Sequence, residues 1–94
     1  MDMQKRLESI VSGRVQMVMF RDFVTRNARA RGLTGTVRNN PDGTVSVIAE
    51  GNEAKLVDLL ALVRKGSLLS RVDDATEKWS EDLGNFTSFD ILYK

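Results

Sequence analysis

The 94-residue chain contains neither cysteine nor histidine. Without cysteine, no disulfide framework and no thiolate zinc site can form. Without histidine, the commonest metal ligand is gone, and with it the commonest general base near neutral pH. Chemistry is left to Arg, Lys, carboxylates, amides, hydroxyls and backbone groups, and neither metal nor cofactor is expected. Aromatic residues make up 6% of the chain. That is few for a sheet that stacks bases on paired aromatic strands, so nucleic acid is not the expected partner. No stretch approaches the ~18 consecutive apolar residues of a membrane span. Met1 to Glu8 mixes Asp2, Lys5, Arg6 and Glu8, where a signal peptide would be apolar. The expectation is a soluble, cytoplasmic, monomeric protein with no membrane partner.

What is present suffices for one domain over residues 1–94, with 41% hydrophobic residues to build a core. The net charge is +1, but it is unevenly spread. Residues 1–40 hold eight Lys/Arg against three Asp/Glu, and the rest hold six against ten. A basic half suits an anionic ligand, although solvated helix faces account for most such runs.

Periodicity outlines the elements. A strand is expected near Leu7–Ser12, with Leu7, Ser9 and Val11 on one face and Ile10 interrupting the pattern. A Gly-bearing loop, Gly13–Met19, leads into a helix from about Arg21 to Arg31. There Phe20, Phe23, Val24, Ala28 and the stem of Arg31 share a face, and Gly32 is the stop. Thr36–Asn40 reads as a strand, and Asp42-Gly43 as a hairpin turn into a third strand with Val45, Val47 and Ala49 inward. Asn52 is placed to cap a second helix with Leu56, Val57, Leu60 and Val63 as its stripe, ended by Gly66. Two late strands are expected, around Val72–Trp79 and Thr87–Tyr93. In the first, Glu77 interrupts the apolar side; in the second, Phe89, Ile91 and Tyr93 share a face. Met1 and Met3 read as a loose terminus, and Met19 as core or loop packing. This order predicts an α+β, ferredoxin-like split βαβ sandwich: an antiparallel sheet with both helices on one face. The fold alone names no function.

The segment richest in chemistry is Ser12-Gly13-Arg14-Val15-Gln16-Met17-Val18-Met19-Phe20-Arg21. A strand ending in Gly, a short loop and a helix start can converge backbone N–H groups on an anion. Arg21, in the first helical turn, adds a planar fork of donors suited to phosphate oxygens.

This stretch resembles the first signature of the acylphosphatase family, Gly-Arg-Val-Gln-Gly-Val-x-Phe-Arg. The second signature, Gly-x-Val-Arg-Asn followed by Asp-Gly-Thr-Val, has its counterpart in Gly35-Thr36-Val37-Arg38-Asn39 and Asp42-Gly43-Thr44-Val45. The two blocks stand at the family's separation, and Phe86–Tyr93 resembles its last strand more loosely. The resemblance implies hydrolysis of acyl phosphates to carboxylate and inorganic phosphate, without metal or cofactor. It implies that Arg14, Val15, Gln16, Met17, Val18, Met19 and Phe20 form a phosphate cradle. Arg21 would bind the phosphate, and Asn39 would orient the attacking water. The chemistry suits the missing residues, because a carboxylate leaving group needs no proton from a strong acid. Met17 departs from the pattern, standing where the family has Gly. A Met held at positive φ is strained, which opens the alternative of a degenerate, non-catalytic module binding an anion or a partner.

Overall fold

The computed structural model describes residues 3–93 and carries eight elements: β1 (Gln4–Arg14), α1 (Phe20–Ala30), β2 (Thr34–Asn39), β3 (Val45–Asn52), α2 (Glu53–Lys65), β4 (Arg71–Ala75), β5 (Lys78–Ser80) and β6 (Phe89–Leu92). Strand order across the sheet is β4-β1-β3-β2-β6, with β5 also pairing β1. This is the ferredoxin-like α+β plan. α1 packs on β2 and β6, α2 packs on β1, β3 and β4, and the helices touch each other. One core unites them with Leu7, Val11, Val37, Val45, Val47 and Ala49 of the sheet. No helix among the described residues is long and apolar enough to cross a membrane.

The alternation expected in β1 holds. Leu7, Ser9 and Val11 are buried and Ile10 faces out. Ser9 takes an apolar slot at a cost, since its Oγ is buried with no partner among the described residues. At the chain start, Met3 is exposed, yet its carbonyl accepts the Glu53 N–H at 2.9 Å. Its backbone is thus tied down rather than loose. Met1 lies outside the described residues.

α1 buries Phe20, Val24, Thr25 and Ala28. In α2 the Asn52 side chain accepts the Lys55 N–H at 3.1 Å, satisfying one of the donors that a helix start leaves unpaired. The apolar stripe is Leu56, Leu59, Leu60 and Val63, while Val57 is exposed. Starting from Leu56, positions three, four and seven residues on share a face; Val57 lies about 100° around the helix, which corrects the expected stripe.

Two strand expectations change at the sheet edges. The single strand expected over Val72–Trp79 is broken into β4 and β5, which pair different parts of β1. At the break the Ile10 N–H donates to the Thr76 hydroxyl, and the Thr76 N–H donates to the Ile10 carbonyl. Glu77 then turns outward to accept from Arg64 and from the Trp79 indole N–H. A carboxylate in an inward slot would have to shed its water, so the ladder with β1 breaks at Thr76 and Glu77 and resumes in the same register at Lys78.

The second change concerns direction. β6 runs parallel to β2, so the sheet is mixed rather than wholly antiparallel. A parallel neighbour needs a crossover, and the segment after β5 supplies it. Both carboxylate oxygens of buried Glu50 accept the Gly84 N–H, at 3.0 and 2.8 Å, and Arg6 donates to the same carboxylate at 3.0 Å.

Candidate active site

β1 delivers the chain to the site through Gly13. Its φ is 123°, and a Cβ there would lie 2.2 Å from the Arg71 carbonyl oxygen of β4. The register between β1 and β4 shifts between Ser12 and Gly13. Only glycine fits so close an approach, and the resulting irregularity aims the following loop.

Val15–Met19 form that loop, between Arg14 at the end of β1 and Phe20 at the start of α1. Val15, Val18 and Phe20 bury their side chains in the core. The loop is thus pinned by apolar anchors, while Met17 and Met19 between them are exposed. Among the described residues, no carbonyl or side chain accepts a hydrogen bond from the N–H groups of Val15 through Phe20. The first-turn donors of α1 add to this set of unengaged N–H groups, together with the positive end of the helix.

Met17 and Met19 both adopt left-handed backbone, with φ of 59° and 60°. Met17 thus holds the conformation that glycine takes readily. Met19, expected to pack in the core or loop, is instead exposed and serves as the N-cap of α1 without a side-chain cap bond.

Arg21 rises from the first turn of α1 and lines a hollow of about 460 Å³ with Val15, Met17, Met19, Phe20, Asp22, Ile91 and Tyr93. Its guanidinium donates to the Leu92 carbonyl at 3.4 Å and sits 5.1 Å from the centre of the Tyr93 ring. No carboxylate among the described residues pairs with it; Asp22, its neighbour in the chain, pairs with Arg26 at 2.9 Å. A cation held by a carbonyl and an aromatic face keeps its charge for an incoming anion.

Asn39 ends β2, opposite Val45 of β3. Its Oδ1 is shut away from solvent without a donor among the described residues. It does not line the hollow that holds Arg21. Its connection to the loop runs through Gln16, whose side-chain amide donates to the carbonyls of Asn40 at 2.8 Å and Thr44 at 2.9 Å. Asn40 keeps its turn role, donating to the hydroxyls of Thr44 and Ser46.

Sequence reading missed two features of the site. One is the Gln16 grip on the hairpin. The other is the contribution of Leu92 and Tyr93; Tyr93 was expected to share the face of buried Phe89 but lies exposed beyond the end of β6. Among the described residues, no three carboxylates come together as a metal site.

The acylphosphatase family model matches residues 7–91. The chain is 46% identical over 84 residues to an acylphosphatase of Bacillus licheniformis, covering 89% of this chain and 93% of that one. It is 43% identical over 88 residues to an acylphosphatase of Methylococcus capsulatus, covering 94% and 96%. The crystal structure of acylphosphatase from Bacillus subtilis superposes with a TM-score of 0.92 at 40% identity, covering 95% of this chain and 99% of that one. With the match running through both the β1–α1 loop and the β2–β3 hairpin, this chain belongs to the acylphosphatase family.

Proposed function

We propose that this chain hydrolyses acyl phosphates, with Arg21 and the Val15–Phe20 amides holding the phosphoryl group and Asn39 orienting the water. The observation that carries the reading is that one open hollow is lined both by loop residues whose N–H groups are unengaged and by a carboxylate-free Arg21. Such a cradle neutralises phosphoryl charge, and positioning with electrostatics supplies most of the catalysis in phosphoryl transfer. Water attacks phosphorus, the bond from phosphorus to the acyl oxygen breaks, and the carboxylate departs with the electron pair. The water proton passes to a phosphate oxygen, so the products are a carboxylate and dihydrogen phosphate. No protein group has to change protonation.

Arg14 and Phe20 stand at the two ends of the cradle. Arg14 continues β1, and Phe20 anchors the helix start in the core. The non-catalytic alternative rested on Met17. Its backbone already occupies the left-handed region, at a strain of about 1–2 kcal/mol, so the substitution leaves the turn of the loop in place. The shared core of the described residues supports reading residues 1–94 as one acylphosphatase-like domain. We read it as a monomer of the cytoplasm that uses no metal, no cofactor and no nucleic acid.

The test is turnover of acetyl phosphate by the purified chain with and without a chelator. Hydrolysis that continues undiminished in chelator supports the reading. Absence of turnover in a folded protein, or rescue by a metal ion, overturns it.

A further inference from the structure

On the face of the sheet turned away from α1 and α2, the crossover after β5 covers Glu50. The two rows of side chains beyond Glu50 stay open. In the first, Glu8 of β1 stands opposite Ile48 of β3, and Ile48 opposite Thr36 of β2. In the second, Ile10 stands opposite Ser46, Ser46 opposite Arg38, and Arg38 beside Leu92 of β6. Together these rows line a hollow of about 340 Å³.

Ile10 is 44% exposed and Leu92 41%, and Ile48 is half-buried. Single apolar residues on a surface are ordinary, but three around one concavity form a patch of the kind that marks binding. Among them stands one free cation. Arg38 is exposed, and no carboxylate among the described residues pairs with it. The one carboxylate lining the hollow, Glu8, lies two strands away, about 10 Å, and is taken by Arg6 at 3.0 Å. Ser46 Oγ accepts from the Asn40 side-chain amide at 2.8 Å, which leaves its own O–H to donate, and Thr36 adds a second hydroxyl. A planar fork of donors beside hydroxyls suits a carboxylate. No aromatic residue lines the hollow, so its apolar surface is aliphatic throughout.

We propose that this hollow is a second ligand site, for an amphipathic carboxylate with an aliphatic tail. The head sits on Arg38 with the hydroxyls of Ser46 and Thr36, and the tail lies on Ile48 and Ile10, with Leu92 closing the side of β6. The volume is that of a small-molecule site rather than of a macromolecular interface. This site is separate from the hollow of Arg21. Successive side chains of a strand leave opposite faces, so Arg38 belongs to this face, while Asn39, opposite the core residue Val45, belongs to the other. In β6, likewise, Leu92 lines this hollow and Ile91 lines that of Arg21. The site therefore stands whatever the β1–α1 loop binds.

Octanoate is the probe, titrated calorimetrically into the whole chain at constant ionic strength, with octylammonium as its cationic counterpart. The titration is repeated in saturating inorganic phosphate and on the Arg38→Gln, Ile48→Thr and Arg21→Gln variants. Octanoate should bind one to one, and octylammonium far more weakly. Arg38→Gln should weaken octanoate on the order of tenfold, as loss of a charge-assisted hydrogen bond does. Ile48→Thr, which keeps a β-branched residue in the strand, should weaken it severalfold and repeats the test should Arg38→Gln fail to fold. Phosphate and Arg21→Gln should leave the affinity unchanged. Displacement by phosphate, or loss of binding in Arg21→Gln, would place octanoate in the β1–α1 loop and overturn the second site. Equal binding of octylammonium, or binding indifferent to both Arg38→Gln and Ile48→Thr, would reduce it to unspecific adsorption. Absence of binding to the folded chain would overturn it outright.

Discussion

Gln16 reaches out of the β1–α1 loop and donates to the carbonyl of Asn40 at 2.8 Å, the residue directly after Asn39. The same amide nitrogen donates to Thr44, whose carbonyl also accepts the Asn40 N–H at 2.8 Å. The proposed phosphate cradle and the strand carrying the proposed water-orienting residue are therefore joined by one side chain. Replacing Gln16 with Met removes the donor at similar volume. We expect kcat to fall on the order of tenfold or more, since small misplacements of reacting groups cost large factors. Stability should fall by about 1 kcal/mol for the lost amide hydrogen bonds, since each carbonyl keeps one backbone donor. Steady-state kinetics with a urea titration check both; kcat within twofold of the parent would show that the joint does not position the site.

Arg21 and Asn39 should fail in different ways. Arg21→Gln removes the charge that holds the ligand, so turnover and inhibition by inorganic phosphate should both vanish. The rise in Tm produced by millimolar phosphate should vanish as well, because a ligand that binds the native state stabilises it by mass action. Asn39→Ala should lose turnover by about 3–4 kcal/mol of transition-state stabilisation yet keep the phosphate-induced rise. Near-normal kcat in folded Asn39→Ala would remove Asn39 from the mechanism.

Met17 supports no packing, being 98% exposed, and holds a φ of 59°. Met17→Gly should relieve about 1 kcal/mol of backbone strain, partly offset by the greater freedom of glycine in the unfolded chain. We expect a small gain in Tm, of a few degrees at most, and phosphate binding at least as tight as in the parent. A loss of both Tm and phosphate affinity would mean that the Met17 side chain, rather than its backbone, organises the loop.

The hairpin that carries Asn39 has a pH-sensitive lock. The Asp42 carboxylate accepts from the Thr44 hydroxyl at 2.6 Å and from the Thr44 N–H at 3.0 Å, and these bonds, the hydroxyl's above all, hold its pKa below the ordinary 3.8. A carboxyl whose folded pKa is depressed contributes stability above its unfolded pKa and loses it as pH falls through the folded value. Stability should therefore decline below about pH 4, and part of that decline should be absent from Asp42→Asn. Denaturant midpoints taken stepwise from neutral to acid pH measure it. Parallel curves for parent and variant would show that Asp42 makes no contribution.

Much of the fold was legible in the linear chain because it follows from local periodicity. The inward set Leu7, Ser9, Val11 and the pairing of β2 with β3 through Asp42-Gly43 need only neighbours a few residues apart. The Asn52 cap is equally local. The proposed cradle was drawn from a strand ending in Gly13, a short loop, a helix start carrying Arg21, and the family resemblance of that stretch; the close approach at Gly13 and the burial of Val15, Val18 and Phe20 came from the fold. The Leu59-for-Val57 exchange in the α2 stripe is a matter of angle: with Leu56, Val57, Leu59 and Leu60 all apolar, more than one stripe can be drawn until the partner surface selects a face.

The tertiary structure decided the rest. β6 alternates well enough to be a strand from its sequence, but alternation carries no direction. That it lies parallel to β2 depends on which edge remained open and on a crossover tied to Glu50. That choice brings the Leu92 carbonyl and the Tyr93 ring to Arg21, 71 and 72 positions earlier in the chain. The Gln16 joint likewise spans 24 residues to reach Asn40. The sequence by itself determined which residues are proposed to bind a phosphoryl group, since donor type and helix-start position are properties of a short segment. Only the folded sheet determined what surrounds that group, because the walls of the site come from strands whose adjacency is set by long-range pairing.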